Sequence, residues 1–211
     1  MSLFEKMPKA LLIIATFISL VACQEEIRLK PLSKQSVILA FGDSLTRGVG
    51  APAGQDYPSQ LATLLDIQVI NKGISGEVSA DGLKRLPAIL RQTQPDLVIL
   101  IHGGNDILRK QDLGKTAANL QAMIELVRQH GADLIVYAVP KFSLIPTAAP
   151  FYRQVVEKFQ IPFDDQTLIA LEKDSSMKSD AVHFNDKGYG KLADSVVDIL
   201  YRHGALDQLD N

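Results

Sequence analysis

The 211-residue sequence has no tryptophan, one cysteine and no cluster of lysine and arginine. A single cysteine excludes an internal disulfide framework, and scattered cations do not make the basic surface that nucleic-acid binding needs. The sequence also lacks the Cys/His spacing of zinc sites and the dense oxygen ligands of calcium sites, so it predicts no metal and no other cofactor. Repeats and low-complexity tracts are absent as well, which argues against solenoids and disordered chains.

What is present is the composition of an ordinary globular protein, with 46% hydrophobic residues, 22% charged residues and a formal net charge of −2. A chain of this length can bury one substantial core but is short for two domains. The sequence therefore predicts one globular domain, which we expect to be monomeric.

The N-terminal segment differs from the rest in hydropathy. Lys6 and Lys9 precede an apolar run from Ala10 to Ala22, and Cys23 follows the run directly. The run is too short to cross a bilayer but suits the core of a signal peptide. Cys23 after a small residue resembles the lipobox of bacterial lipoproteins, in which the cysteine carries diacylglycerol and the signal is cut before it. An incidental or buried cysteine is the alternative.

We therefore expect a lipoprotein signal peptide at residues 1–22, the lipidated Cys23 with a polar tether through residue 35, and a folded domain over residues 36–205. Two acyl chains anchor a protein stably where one would be marginal. By resemblance to enterobacterial lipoproteins, Gln24 after the cysteine implies the outer membrane rather than the inner one. The expected location is the bacterial cell envelope, membrane-tethered in the outer membrane and facing the periplasm.

Short apolar runs without alternation predict buried parallel strands. They are Val37–Phe41, Ile67–Asn71, Leu97–Ile101 and Leu134–Val139, with a shorter strand at Ile161–Phe163. Helical patterns are Tyr57–Leu65, Ala80–Arg91 (interrupted by Pro87), Thr116–His130, Phe151–Phe159 and Lys187–Arg202. The alternation predicts an α/β fold with helices on both faces of a parallel sheet. Ligands of such sheets bind beyond the carboxyl ends of the strands.

The loop after the first predicted strand carries Ser44 in the sequence Gly42-Asp43-Ser44. Glycine lets the chain turn off the strand, and a serine at the start of a helix lies where unpaired N–H groups favour negative charge. The segment is not a Gly-x-Ser-x-Gly elbow, because residue 46 is Thr46. A strand-end turn with a capping serine explains it on its own, so a nucleophile must be identified by its partners.

A nucleophilic serine needs a base, and the base needs an orienting group. His130 and His203 lie at predicted helix ends, where a capping role suffices, and His102 follows a buried strand as a structural residue or one near the site. His183 lies in a loop three residues after Asp180. A carboxylate at that spacing can fold back in one turn and accept the Nδ1–H, which leaves Nε2 free for the serine proton. A solvated aspartate and a structural histidine are the alternative.

Donors for a developing oxyanion are the third requirement. The loop after the second strand contains Gly76, whose backbone can approach a ligand closely, and the loop after the third places Asn105 on a glycine-led turn. Taken singly, each is ordinary turn chemistry. Their placement at the ligand-binding ends of separate predicted strands is what indicates a site.

Together these segments resemble the four sequence blocks of the GDSL or SGNH hydrolases, in order along the chain. The blocks are Phe41–Leu45, Gly76, Gly103–Asp106 and Asp180 with His183. Two further stretches are similar to the bacterial arylesterase and acyl-CoA thioesterase I (lysophospholipase) subgroup, namely Asn71–Gly76 and Gly82–Pro87. The fold that this resemblance implies is a flavodoxin-like three-layer α/β/α sandwich, in agreement with the strand and helix pattern.

The resemblance also implies residue roles and a reaction. Ser44 is the implied nucleophile, His183 its base and acid, and Asp180 the orienting carboxylate. The implied oxyanion donors are the backbone N–H groups of Ser44 and Gly76 and the side chain of Asn105. The expected activity is that of a serine esterase or lipase that cleaves acyl esters, thioesters or lysophospholipids through an acyl-serine intermediate.

Substrate choice is less constrained by the sequence. Leu108, Phe142, Leu144 and Ile145 are apolar residues in loops after the third and fourth strands, and they are candidates for lining an acyl groove. Packing of the loop on its own core is the alternative. Phe184 stands where the subgroup usually has proline, and we expect it to add apolar bulk near the site.

Two other functions stay open from the sequence. One is a carbohydrate O-acetylesterase of the cell envelope, which would use the same residues on acetyl groups. The other is a non-enzymatic envelope lipoprotein that binds a ligand or partner with a flavodoxin-like domain. Preference for acetyl over octanoyl esters favours the first, and absence of an activated serine favours the second.

Overall fold

The computed structural model describes residues 27–141 and 145–206. The expected signal peptide over residues 1–22 and the lipidation site Cys23 lie outside these residues, as do Phe142 and Leu144 of the candidate substrate loop. Their assignments stay predictions.

A parallel sheet forms the centre of the described residues. The strands are β1 (Val37–Gly42), β2 (Gln68–Gly73), β3 (Leu97–Ile101), β4 (Asp133–Tyr137), β5 (Pro140–Lys141), β6 (Thr147–Ala148) and β7 (Phe163–Asp164). The main sheet has the order β2-β1-β3-β4-β7 with every neighbouring pair parallel, while β5 and β6 form a small antiparallel pair. This is the flavodoxin-like order, and the direction of winding reverses between β1 and β3. The predicted fold class is confirmed.

Helices cover both faces of this sheet. They are α1 (Ser44–Arg47), α2 (Tyr57–Leu65), α3 (Ser79–Thr93), α4 (Gly104–Leu108), α5 (Leu113–Gln129), α6 (Pro150–Val156), α7 (Thr167–Lys173) and α8 (Asp186–Arg202), with a 3₁₀ turn at Ser175–Met177. Helix α2 packs on α8 and α3 packs on α5. The connection from β1 to β2 and the connection from β2 to β3 run in opposite directions across the sheet, and both are right-handed crossovers. The two helix pairs therefore lie on opposite faces of the sheet. Within the ranges described, no helix combines the length and hydropathy needed to cross a bilayer.

The core follows from the density of branched apolar residues in the central strands. All five residues of β3 are buried, and five of the six in β1 are buried. Each fully buried Leu or Ile contributes about 1.5–3 kcal/mol through removal of apolar surface from water. Strands β1 and β3 are therefore anchored in the core, and this fixes the points from which the loops at their carboxyl ends start.

Helix α3 departs from the sequence prediction. Pro87 was expected to interrupt it, yet the helix runs unbroken from Ser79 to Thr93 with Pro87 inside. Proline removes one backbone donor and crowds the preceding turn, which costs an exposed helix about 3 kcal/mol. Here Leu86 and Leu90 on either side are buried against the core, and this packing outweighs the local penalty.

The segment from Ile27 to Ser36 runs along the amino-terminal edge of the sheet. The N–H of Leu29 donates to the His203 carbonyl at 2.9 Å, and the N–H of Lys30 donates to the Asp133 carboxylate at 2.6 Å. Leu29 is buried, and Asp133 is the first residue of β4. The second half of the stretch predicted to be a tether is therefore packed against the domain, at the edge opposite to the strand ends that carry Ser44.

Candidate active site

Ser44 lies at the carboxyl end of β1, beside the point where the sheet changes direction. It is the first residue of α1, and the side chain of Asp43 caps that helix by accepting from the Leu45 N–H at 3.1 Å. The turn needs glycine at position 42, since a Cβ there would lie 2.0 Å from the Ile101 carbonyl oxygen. The sharp exit from the strand is what presents the serine hydroxyl to the cleft.

His183 and Asp180 form a hydrogen-bonded chain with Ser44. His183 Nε2 lies 3.0 Å from Ser44 Oγ, and His183 Nδ1 lies 2.8 Å from Asp180 Oδ2. A carboxylate can only accept, so Nδ1 carries the proton and Nε2 is the acceptor for the serine hydroxyl. The geometry is that of a nucleophile with its base and an orienting carboxylate.

The loop that carries Asp180 is closed by that same carboxylate. Its Oδ1 accepts from the N–H groups of Val182 and His183, each at 2.8 Å. The hydrogen bond from the His183 side chain and those from the two backbone groups lower the pKa of Asp180 from 3.8 to about 2. The carboxylate is therefore ionised under all ordinary conditions, as an orienting group must be.

Gly76 and Asn105 share one cavity with Ser44 and His183. Gly76 has φ of +77°, the left-handed conformation that glycine adopts without strain. Asn105 Nδ2 is 3.2 Å from Asp43 Oδ2 and 3.1 Å from the carbonyl of Glu77. The three residues expected from the sequence to supply oxyanion donors thus line one cavity.

Asp43, next to the serine, is buried with 2% of its surface exposed. Burial raises the pKa of Asp43, and hydrogen bonds from Leu45 and Asn105 oppose that rise. Its two oxygens hold the first turn of α1 and the Asn105 amide at the same time. Asp43 therefore couples the loop after β1 to the loop after β3.

The cavity itself is small, about 140 Å³. Its apolar walls are Leu45, Leu108, Val139 and Val182. Leu108, a candidate from the sequence, is 46% exposed at this cavity. Ile145, the other described candidate, is 73% exposed and does not line it.

Phe184 does not add apolar bulk to the cavity, contrary to the expectation from the sequence. It is 1% exposed and packs edge-on against Tyr189, with ring centroids 5.8 Å apart. Phe184 pairs with Lys178 in an isolated antiparallel bridge, and successive side chains of extended backbone point to opposite sides. Because His183 faces Ser44, Phe184 faces the core.

Asp106 is a site residue to which the sequence reasoning assigned no role. It is buried and accepts from the Ser79 N–H at 2.8 Å, the Ser79 hydroxyl at 2.6 Å and the Thr116 hydroxyl at 3.2 Å. These bonds tie α4, which carries Asn105, to the starts of α3 and α5. Its place directly after Asn105 in the Gly-x-Asn-Asp block was the signal available in the sequence.

The remaining histidines lie away from the serine hydroxyl. His130 caps the end of α5, and His203 follows α8 with its Nδ1 2.7 Å from the Ile27 carbonyl. His102 is fully buried at the end of β3, below the cavity. Across residues 27–141 and 145–206, no group of three or more His, Cys, Asp or Glu is placed to hold a metal ion.

Comparison with known proteins gives concordant matches. The sequence profile of the GDSL-like Lipase/Acylhydrolase family matches residues 40–191. An arylesterase of Vibrio mimicus is 31% identical over 79% of this chain and 88% of its own length. Thioesterase 1/protease 1/lysophospholipase L1 of Escherichia coli K12 is 29% identical over 74% of this chain and 79% of its own. The crystal structure of TesA superposes with a TM-score of 0.70 at 26% identity, covering 79% of this chain and 98% of that one.

Proposed function

The chain belongs to the GDSL-like lipase/acylhydrolase family and is a carboxylic-ester hydrolase, and we propose that it cleaves acyl esters and thioesters through an acyl intermediate on Ser44. The supporting observation is the hydrogen-bonded chain from Asp180 through His183 to Ser44. It ends in a cavity that also contains Gly76 and Asn105. A serine that merely caps a turn has no need of either feature.

In the proposed reaction, Ser44 Oγ attacks the substrate carbonyl carbon while His183 Nε2 takes the hydroxyl proton. The negative charge that develops on the carbonyl oxygen is met by the N–H groups of Ser44 and Gly76 and by Asn105 Nδ2. Collapse of the tetrahedral adduct breaks the bond to the alcohol or thiol, which leaves with the proton from His183. Water then attacks the acyl-Ser44 carbonyl with the same histidine as base, which releases the acid and restores the serine.

Asn105 must change partners for this role. Both hydrogens of its amide are taken by Asp43 and by the Glu77 carbonyl, at 3.2 and 3.1 Å. These are long bonds for N–H donors, and a charged oxygen is a stronger acceptor than a carbonyl. We propose that the oxyanion draws one of these hydrogens as it forms, so the interaction is made in the transition state and not with the ground-state ester.

The cavity limits the substrate classes. A volume of about 140 Å³ is well below the roughly 300–1,000 Å³ of sites that enclose drug-sized ligands. It can hold a scissile ester group with a short chain, and a longer chain would extend over the exposed Leu108. We propose small acyl esters, thioesters and lysophospholipids as substrates, classes that the names of the arylesterase and thioesterase relatives also suggest.

The test is hydrolysis of p-nitrophenyl acetate, butyrate, octanoate and decanoate by residues 24–211, with Ser44→Ala as the control. Turnover that disappears in Ser44→Ala is the expected result. Stoichiometric labelling of the wild type, but not of the variant, by a fluorophosphonate shows that the serine is activated. Turnover equal to that of Ser44→Ala on every ester would exclude the proposed reaction and favour the non-enzymatic binding protein.

A carbohydrate O-acetylesterase is the second candidate, and the small volume of the cavity favours it. Acetyl is the acyl group that such a cavity accommodates most completely. In the same ester series, a kcat/KM that falls steadily from acetate to octanoate supports this candidate. Release of acetate from acetylated cell-envelope polysaccharide would then identify the substrate.

We further propose that Cys23 carries the lipid anchor and that the protein resides in the outer membrane, facing the periplasm. The chain between Cys23 and Ile27 spans at most about 14 Å. Ile27–Ser36 lies at the edge of the sheet opposite to Ser44, so an anchor at Cys23 would leave the cleft facing away from the anchoring bilayer. Mass spectrometry of the mature N-terminus is the test, and an unmodified start at any other residue would contradict the proposal.

A further inference from the structure

Below the catalytic cavity, three ionisable side chains that take no part in the proposed chemistry contact one another. They are Glu77 and Arg85, whose side chains are 6% and 19% exposed, and His102, which is 0% exposed. Arg85 lies in the stretch that resembles the thioesterase subgroup, His102 was expected to be structural or near the site, and Glu77 had no predicted role. The contacts of this cluster reach all three loops that carry the proposed oxyanion donors.

Arg85 is the centre of the cluster. Its Nε donates to Glu77 Oε1 at 2.7 Å and its Nη2 to Glu77 Oε2 at 2.6 Å, which is the two-pronged pairing that a guanidinium provides. The other hydrogen of Nη2 is shared between the carbonyls of Lys72 at 2.8 Å and Gly42 at 3.2 Å. The guanidinium stacks 4.0 Å from the centroid of the Phe41 ring. Arg85 thus ties the end of β1 to the end of β2.

His102 extends the cluster to the third loop. Its Nδ1 accepts from the Gly103 N–H at 2.9 Å, which places the ring proton on Nε2, 3.2 Å from Glu77 Oε2. The chain makes room for this ring with glycine at position 82, where a Cβ would lie 2.4 Å from Nε2. Burial by itself would raise the pKa of Glu77, but hydrogen bonds from His102 and Arg85 lower it, so the carboxylate stays ionised.

Each oxyanion donor lies within two residues of a bond made by this cluster. Gly42 precedes Ser44 by two positions, Glu77 follows Gly76 directly, and Gly103 precedes Asn105 by two. In addition, the carbonyl of Glu77 accepts from the Asn105 amide.

We propose that Arg85, Glu77 and His102 are positioning residues that hold the three oxyanion donors in a common geometry, an inference that rests on the proposed acyl transfer. A buried ion pair is a poor source of net stability, because desolvation of both charges offsets their attraction. Its directional bonds do fix positions. Stabilisation of the oxyanion depends strongly on the positions of its donors, since they must lie about 2.7–3.1 Å from the oxygen at the moment charge develops.

The test uses Arg85→Lys and Glu77→Gln, with Lys84→Ala as the matched control. Lys84 is the neighbouring residue on α3, and its exposed side chain pairs with Asp81 alone among the described residues. Lysine keeps the charge at position 85 but cannot donate to four acceptors in the plane of a guanidinium. For both cluster variants we expect kcat to fall about 10- to 100-fold with KM within about threefold, and Lys84→Ala to match the wild type.

Three measurements separate positioning from simple structural support. Active sites are counted by fluorophosphonate labelling carried to completion, so that kcat refers to folded sites only. Affinity for a trifluoromethyl ketone, which forms a tetrahedral oxyanion on the serine, should fall by the same factor as kcat/KM, while affinity for the product acid stays constant. Thermal unfolding is recorded in parallel. A kcat per labelled site within about twofold of wild type in both variants, with only the unfolding temperature lowered, would overturn the proposal.

His102 gives a second pair of variants if the first two fail to fold. In His102→Gln the amide can still donate to Glu77, whereas His102→Leu removes the donor at similar volume. We expect the glutamine variant to retain more kcat per labelled site than the leucine variant, and equal values would contradict the proposal. If the wild type itself shows neither turnover nor labelling, the acyl-transfer function has failed, and that outcome is distinct from an active wild type with unaffected variants.

Discussion

His183 Nε2 lies 3.0 Å from Ser44 Oγ, although the two residues are 139 positions apart in the chain. The serine comes from the first strand of the sheet and the histidine from the loop before the last helix. Their contact depends on the strand order, which places β1 inside the sheet between β2 and β3, and on the buried Phe184, which fixes the histidine loop to the core. The carboxylate of Asp180, which orients this histidine, is the basis of the first two predictions.

Asp180→Asn should nearly abolish turnover while leaving the fold intact. An amide at this position can donate to Nδ1 as well as accept from it, so the imidazole can adopt the tautomer that presents Nε2–H to the serine. The expected loss in kcat is up to about 10⁴-fold at neutral pH. Steady-state kinetics with circular dichroism of the same samples checks it, and a loss of less than about tenfold would mean that Asp180 does not orient the base.

Acid should weaken the fold through the same carboxylate. The pKa of Asp180 is lowered from 3.8 to about 2. Its hydrogen bonds therefore stabilise the folded state fully at a pH above 3.8, and this contribution is lost as the pH falls towards 2. The difference in unfolding free energy between wild type and Asp180→Asn should therefore shrink as pH falls through this window. Because the Asp180 side chain is 53% exposed, we expect this difference in unfolding free energy to be small and to be reduced further by salt.

Urea unfolding from about pH 6 to about pH 2.5, at low and high salt, measures this difference. Thr63→Ala, which removes an exposed hydroxyl that donates to the Ser59 carbonyl and not to a carboxylate, controls for general acid sensitivity. A difference that stays constant across the range would show that Asp180 gains nothing from its charge in the folded state.

The catalytic candidates and the sheet could be predicted from the sequence because their signals are local. Strand β3 is an unbroken apolar run, and Ser44, Gly76 and Asn105 each follow a strand, so one topological rule places them at the same edge. The spacing of Asp180 and His183 is likewise a local signal. The positions of the predicted strands and the three-residue interval between Asp180 and His183 were therefore enough to predict most of the candidate site.

The supporting contacts could not be predicted in this way, because they join residues that no local pattern relates. Glu77 and His102 are 25 positions apart, and only the parallel pairing of β1 with β2 and β3 brings their side chains together. The predicted position of the Phe184 side chain was wrong for a different reason. Whether a side chain faces the cleft or the core depends on the alternation of an extended loop, which the sequence does not reveal without its bridge partner Lys178.

Gly76→Ala should lower both stability and activity. The residue has φ of +77°, which costs a side chain with a Cβ about 1–2 kcal/mol. Space is not the problem, since the nearest atom to the new Cβ would be Arg109 Nη2 at 3.4 Å. Relief of the strain by rotation of the backbone would turn the Gly76 N–H away from the oxyanion, and we expect kcat to fall about 10²- to 10³-fold.

Gly54→Ala is the matched control for that change. Gly54 has φ of +78°, and a Cβ there would meet no atom within 4 Å. Its backbone strain is the same, but it lies outside the residues that line the catalytic cavity. Equal losses of unfolding free energy with kcat affected only in Gly76→Ala are expected. Equal effects on kcat would mean that strain alone, and not the position of one N–H, accounts for the lost activity.

Leu108→Ala should change the preference for acyl-chain length. Leu108 lines the cavity of about 140 Å³ and is 46% exposed, so a chain that leaves the cavity passes over its side chain. Each methylene that loses this contact forfeits up to about 0.8 kcal/mol of transfer free energy. We expect kcat/KM for octanoate to fall about 10-fold while that for acetate, which stays inside the cavity, changes less than about twofold.

Leu64→Ala separates this effect from the general loss of an exposed apolar side chain. Leu64 is 55% exposed on α2 and does not line the catalytic cavity, so its removal should leave the whole ester series unchanged. If Leu108→Ala lowers acetate and octanoate turnover equally, its side chain supports the Asn105 turn instead of the acyl chain. If it changes neither, the acyl chain leaves the cavity without contacting Leu108, and Val139 and Val182, which also line the cavity, become the residues to test.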